Sequence, residues 1–419
     1  MDHSTAISLL HLLRNKEFSA FILIRFLLIS ALFMQSTALS YQMYQLTGNP
    51  LNLGLIGLAE LIPALSLSVF AGYLADRMEK RTLYLFCVFA YILCGALTLW
   101  ISSEQFTQNF GLWLTEWSIY GVMFLNGTIR AFLAPASFSL LPQLIEREKI
   151  PQAITWSSTS WLLGSVCGPL FAGVLMAWIG LTPTILCAFC AFILCGILMM
   201  RIRRRPFTAP PKGKIWENVS QGFRFIFSNK IILAVLSLDL FAVLFGGAEA
   251  LLPVFSDEIL KCGATGYGWL RSAHGIGSLL LLLVLAYLPL KTRVGDKLLW
   301  SIAGFGVCII LFGISTHFWF SFVCLFMAGM FDGVSVVIRH SILQLKTPEE
   351  IKGRVSSVNM MFISSSNELG AFESGLAARF LGTVPAVVFG GCMTVLIVIV
   401  TFFGVPTLRK VQLNDKNDE

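Results

Sequence analysis

Long apolar stretches alternate with short polar links along the whole chain, at about 18–44, 51–75, 82–102, 111–141, 155–178, 182–201, 229–255, 266–290, 297–315, 318–344, 355–380 and 384–405. Each is long enough to cross a hydrocarbon core of roughly 30 Å at about 1.5 Å per residue. Unpaired backbone groups are not tolerated in lipid, so the spans are expected to be helices. A membrane barrel would instead need short alternating strands. The pattern predicts an all-α integral membrane protein with twelve transmembrane helices. Gly and Pro punctuate several links, as in Thr47-Gly-Asn-Pro50. Arg14, Lys16, Glu17 and Arg25 interrupt the N-terminal stretch, so it reads as a retained span and not as a cleaved leader.

One polar stretch breaks the rhythm. Residues 202–228 follow Arg201 with Arg203, Arg204 and Arg205, then Pro206, Pro210 and Pro211. It falls at the midpoint and reads as a linker between two pseudo-symmetric six-helix halves, 1–201 and 229–419. Its second part, Ile215 to Phe227, places apolar residues at helical spacing and predicts an amphipathic helix lying under the bilayer. A weak internal repeat supports the two halves. The stretch from Arg130 to Lys149 resembles that from Arg339 to Arg354, an apolar helix end followed by a charged loop and a Ser-rich helix. Parallel repeats of this kind surround the central site of many secondary carriers.

Composition sharpens this picture. The chain has 419 residues, of which 56% are hydrophobic and 13% charged, more apolar surface than a soluble domain can hide. Of its 30 Lys and Arg, only Lys261 and Arg379 fall in links on one side, and Arg25, Arg130, Arg271 and Arg339 lie within spans. The remainder crowd the termini and the alternate links, which predicts both termini in the cytoplasm. The net charge of +7 is therefore a topology signal and implies no nucleic-acid partner. Nine of the ten Cys lie within spans and read as small packing residues, and the five His are scattered. Neither disulfide nor metal spacing is present, and no phosphate-binding glycine loop or catalytic constellation suggests an enzyme or a cofactor.

The densest charge cluster is Gly72-Tyr-Leu-Ala-Asp-Arg-Met-Glu-Lys-Arg81, between the second and third spans. With that loop the chain resembles the major facilitator superfamily, whose signature there is G-x-L-A-D-R-x-G-R-K/R. Gly72, Leu74, Ala75, Asp76, Arg77, Lys80 and Arg81 fit, and Glu79 stands where the second Gly is usual. The Glu form is similar to the bacterial exporter branch that includes the enterobactin (siderophore) exporter and macrolide efflux pumps. Gly222-Phe-Arg-Phe225, Asp332-Gly-Val-Ser-Val-Val-Ile-Arg339, Gly353-Arg-Val-Ser-Ser-Val-Asn359 and Ser366-Asn-Glu-Leu-Gly-Ala-Phe-Glu-Ser-Gly375 agree with that branch. The resemblance implies a proton-coupled secondary transporter of a bacterial inner membrane, working as a monomer among membrane lipids. Its partners would be protons and an exported small molecule, a siderophore-like metabolite or a drug; a lysophospholipid is a more distant alternative.

The resemblance also implies a cytoplasmic gate at Gly72, Asp76, Arg77 and Arg81, with Arg354 before the eleventh span. A carboxylate such as Asp76 gains from a helix N-terminus, Arg354 can add a charge-assisted bond, and Gly72 would permit close backbone approach. The alternative is that the cations merely anchor topology. Charges inside the bilayer cost several kcal/mol unless partnered or facing water. By depth Asp239, Asp332 and Glu368 are the candidates for carrying a proton. Asn126 and Arg130 in the fourth span, and Asp332 and Arg339 in the tenth, are candidates for lining the substrate cavity. Arg130 and Arg339 either clamp an anionic ligand together or each neutralise a buried carboxylate, Arg339 with Asp332 for instance.

Overall fold

The computed structural model describes residues 12–205, 215–287, 293–348, 351–409 and 411, and within helices omits the side chains of 69, 76, 215–219, 286–287 and 357. The long elements are α1 (Lys16–Thr47), α2 (Pro50–Arg77), α3 (Lys80–Ile101), α4 (Glu104–Leu144), α5 (Ile150–Ile179), α6 (Leu181–Met200), α7 (Ile215–Ser228), α8 (Lys230–Gly246), α9 (Gly263–Tyr287), α10 (Val294–Gly313), α11 (Phe318–Lys346), α12 (Lys352–Leu381) and α13 (Thr383–Gly404). Among the described residues there is no strand.

Ten of these helical stretches are long and apolar enough to cross a membrane. The two remaining expected spans, α4 and α12, are helices of sufficient length that carry more polar side chains, Glu116 and Arg130 in one, Glu368 and Glu373 in the other. Within α4 the backbone turns at Gly111, where φ is 79°, so the continuous span begins there. The ends follow the sequence. Asn15 and Asn229 cap α1 and α8 by accepting from the amides two and three residues on, satisfying donors that a helix start leaves free.

The described residues fall into two compact units. One comprises the described parts of Met1–Gly48, Ala59–Lys212 and Gly263–Ser272; the other those of Asn49–Leu58, Gly213–Cys262 and Ala273–Glu419. In the first unit α1 packs on α5 and α6, and α3 on α4 and α6. In the second α8 packs on α12 and α13, and α10 on α11 and α13.

The second part of the linker forms α7, in which Ile226 is fully buried in a cluster with Ile232 and Leu236 of α8, Leu343 of α11, and Val355 and Val358 of α12, while Phe227 is exposed.

The seventh span is discontinuous. The α8 helix stops at Gly246, and Gly247 leaves helical geometry (φ −72°, ψ 48°). A 3₁₀ turn at Ala248–Leu251 and a wide turn at Phe255–Ile259 follow. The Ser374 hydroxyl donates to the Gly247 carbonyl at 3.0 Å, so the break does not leave that acceptor unpaired.

Candidate functional site

Two helix crossings bring the intramembrane charges together, one in each unit. In the first unit α4 meets α2 at Gly127. A Cβ there would stand 2.0 Å from the Glu60 carbonyl oxygen, so only glycine permits the approach. Arg130, one turn further along α4, then reaches Glu60 and pairs Nη1 to Oε1 at 2.9 Å. In the second unit α11 meets α9 at Gly329, where a Cβ would stand 1.9 Å from the His274 carbonyl oxygen. The Ser278 hydroxyl donates to the Gly329 carbonyl at 2.8 Å and pins the crossing. Asp332, again one turn further on, faces His274 with Nε2 to Oδ2 at 3.9 Å. On the other side of the ring, Nδ1 lies 3.8 Å from the Oε1 of Glu249 in the broken segment after α8. The Phe305 ring meets the imidazole edge to face.

Deeper in the second unit Asp239 of α8 and Arg339 of α11 form a direct ion pair, both side chains buried. Asp239 lies about 14 Å along its helix from Lys230, close to mid-bilayer depth. A cavity of about 10 Å³ separates this pair from Asp332. Asp239, Ala242, Ser335, Phe305 and Asp332 are among its walls. Among the described residues the buried Ser335 hydroxyl has no hydrogen-bond partner.

The structure therefore gathers Asp239, Asp332 and Arg339 but pairs them differently from the sequence-based example: Arg339 takes Asp239, and Asp332 takes His274. Direct contact decides this, because Asp239 comes from a neighbouring helix while Asp332 stands two turns away on Arg339's own helix. Both arginines of the expected clamp are engaged by a carboxylate of their own unit, which favours the alternative of neutralised arginines. Asn126, one turn before Arg130, is buried against α3, its side chain accepting from the Cys94 thiol at 3.3 Å and its carbonyl from the Tyr91 hydroxyl at 3.5 Å. Glu368 lies half-buried beside Gly57, outside the cavity wall.

His274 and Glu249 were not singled out as functional. A second spacing marks the two crossings: Gly127-x-x-Arg130 and Gly329-x-x-Asp332 recur about 200 residues apart, in a register different from that of the Arg130 and Arg339 stretches.

Arg25 in α1 is held by neutral partners. Its Nε donates to the Ser157 carbonyl at 3.0 Å and Nη1 to the Ser137 hydroxyl.

At the loop between α2 and α3, Asp76 lies in the last turn of α2, and its side chain is outside the described residues. Arg77 stacks on the Tyr73 ring at 4.2 Å. Arg81 is buried and donates to the Ile202 and Met200 carbonyls, where α6 leaves acceptors free. Its contact is a helix cap. A Cβ on Gly72 would meet nothing within 4 Å, so within the described residues no close approach depends on it. Arg354 donates to Gln221 of α7.

Comparison with known proteins places this geometry in a family. Residues 7–418 match the family described as "Transmembrane secretion effector". The enterobactin exporter EntS of Escherichia coli O1:K1 / APEC is 25% identical over 350 residues, covering 82% of this chain and 81% of that protein. EntS of Shigella boydii serotype 18 (strain CDC 3083-94 / BS512) has the same identity and coverage. A bacterial homologue of the human lysosomal transporter Spinster, solved inward-facing and unoccupied, superposes with a TM-score of 0.70 over 94% of this chain and 96% of that one, at 14% identity. The nucleoside transporter NupG superposes with a TM-score of 0.74 over 93% and 100%, at 11% identity. The fold is that of the major facilitator transporters, and this multi-pass membrane protein, a transporter and not an enzyme, belongs to the transmembrane secretion effector family.

Proposed function

We propose that the protein exports a siderophore-like small molecule across a bacterial inner membrane by proton-coupled alternating access between its two halves. The observation that carries this reading is the similarity to enterobactin exporters along four-fifths of both chains. The intramembrane chemistry is compatible with it. The Glu60–Arg130 and Asp239–Arg339 pairs are electrically neutral, so they can sit in the membrane without a bound ion. The His274–Asp332 contact adds an imidazole facing a carboxylate. In this reading Asp76 acts as the gating carboxylate on the strength of the loop motif. Both termini lie in the cytoplasm, as the Lys and Arg distribution indicates.

The test is mass spectrometry of culture supernatants under iron limitation. A deletion strain is compared with strains complemented by the wild type or by Asp76→Asn. The expected result is one iron-chelating metabolite that disappears outside and accumulates inside, restored by the wild type and not by the variant. Matching supernatants from deletion and wild-type strains overturn the siderophore reading. Drug-susceptibility profiles of the same strains then decide for efflux.

A further inference from the structure

The two crossings are built on one plan and carry opposite chemistry. In each, a glycine admits a backbone carbonyl of the facing helix, and the residue three positions later meets the side chain of the residue that owns that carbonyl. In the first unit the pair is Glu60 and Arg130; the guanidinium keeps its proton at every accessible pH, so that crossing has one charge state. In the second unit the base is an imidazole and the acid has moved to the glycine-bearing helix. Here the contact can gain or lose a proton.

We infer that His274 and Asp332 hold one exchangeable proton jointly, and that this pair is the proton-binding site of the transport cycle. The inference rests on the proton-coupled reading above and assigns its site.

Three observations carry it. First, His274 stands between two carboxylates, 3.8 Å from Glu249 and 3.9 Å from Asp332. These separations exceed a direct hydrogen bond yet keep the charges coupled. A single imidazolium between two carboxylates relieves the repulsion that both anions would otherwise feel. Second, the arrangement has a wet side and a dry side. Glu249 is exposed, the His274 and Asp332 side chains are each about a quarter exposed (26%), and Asp239 and Arg339 are buried. Third, the cavity between Asp332 and Asp239 is close to the least volume that admits one water, and it offers that water two carboxylates and the unpartnered Ser335 hydroxyl. A water there would extend the path from the titratable pair to the buried ion pair.

The transfer balances as proton movement alone. Nδ1 of His274 accepts the proton of the Glu249 carboxyl group, whose O–H bond breaks, and the imidazolium releases its Nε2 proton to the Oδ2 of Asp332. One O–H and one N–H bond break, and one N–H and one O–H bond form.

Among the described residues, the other charges on the neighbouring elements lie as follows. Along α9, Arg271 precedes His274 by three residues and bonds Tyr267 and Ser36. On α10 the neighbour is Phe305, while Asp296 and Lys297 lie in the first turn. On α11, Arg339 belongs to Asp239, and His340 is exposed. Glu368 and Glu373 stand on α12, and α13 carries no charged residue.

The experiment counts protons taken up by the purified full-length protein between pH 8 and pH 5 in weak buffer. It compares wild type, His274→Gln, Asp332→Asn, the double variant and Glu60→Gln. A shared proton makes the losses non-additive: about one proton is lost in each single variant and again about one in the double. Glu60→Gln loses none. If Asp332→Asn takes up as many protons as wild type, or if the two losses add, the inference is overturned. Size-exclusion profiles show whether a variant is folded, and Glu249→Gln, at an exposed position, supplies a second partial loss.

A parallel arm uses proteoliposomes with enterobactin as the probe. His274→Gln is expected to keep enterobactin exchange while losing accumulation driven by a pH gradient at least about tenfold, the factor that follows from losing about 1.4 kcal/mol of coupling. If wild-type vesicles ignore the pH gradient while the proton count is as expected, the transport reading fails and the joint proton stands. If wild-type transport follows the gradient and the proton count is additive, the site assignment fails and the transport reading stands.

Discussion

The α2–α4 and α9–α11 crossings share a backbone plan and differ in what the plan presents to the membrane interior. Gly127 and Gly329 each admit a carbonyl that any side chain would exclude, and the following turn delivers Arg130 to Glu60 and Asp332 to His274. The first contact is short, 2.9 Å, and permanently charged on its basic side. The second is looser, 3.9 Å, and joins an imidazole to a carboxylate. The two crossings thus share a packing plan and differ in chemistry: an ion pair at one, an imidazole facing a carboxylate at the other. Close backbone approach supplies the packing in both, so the side chains are free to differ.

Breaking the shared plan should have the largest effect. Gly127→Leu and Gly329→Leu each force heavy atoms into a facing carbonyl, and each is expected to lower stability by more than about 3 kcal/mol, above the usual range for overpacking. Folded yield and thermal unfolding in detergent measure this. Similar losses at the two sites are expected, and a tolerated substitution at either breaks the equivalence.

The buried ion pair comes next. Asp239→Asn leaves Arg339 without its anion and is expected to destabilise by about 3–5 kcal/mol. Replacing both, as Asp239→Asn with Arg339→Met, should recover part of that loss. Glu60→Gln should cost less, because Arg130 is about one-third exposed (35%) and water can solvate it. Chemical denaturation of the three variants orders them.

Converting one crossing into the other sharpens the contrast. His274→Arg places a permanent cation beside Asp332, and the protein is expected to fold while the pH dependence of transport flattens. A variant that retains the wild-type pH profile would place the titrating group elsewhere. The smallest effect is expected at Ser335→Ala. It removes one of three polar walls of the cavity and should slow gradient-driven transport about two- to threefold, consistent with the roughly 0.5 kcal/mol lower bound for one hydrogen bond. Initial rates in proteoliposomes report it.

Much of the fold was legible from local pattern. Apolar length gave the helices. The site was legible only in part. Asp239, Asp332 and Arg339 stood out because charge in an apolar run is costly. His274 did not, because an isolated His within an apolar run is unremarkable until its neighbours are known. Arg81 resembled a gate residue by motif, yet its reach to the end of α6 depends on a contact 121 positions away.

Taken alone, the chain determined that this is a helical membrane protein and which of its charges needed partners. Hydrophobic length, periodicity and the energetic penalty on intramembrane charge are local properties that any reader of the sequence can sum. Only the tertiary structure decided the partners: Arg130 with Glu60, Arg339 with Asp239, and Asp332 with His274. Pairing depends on where glycines let helices touch, and such a crossing joins residues dozens of positions apart. No local pattern encodes that distance.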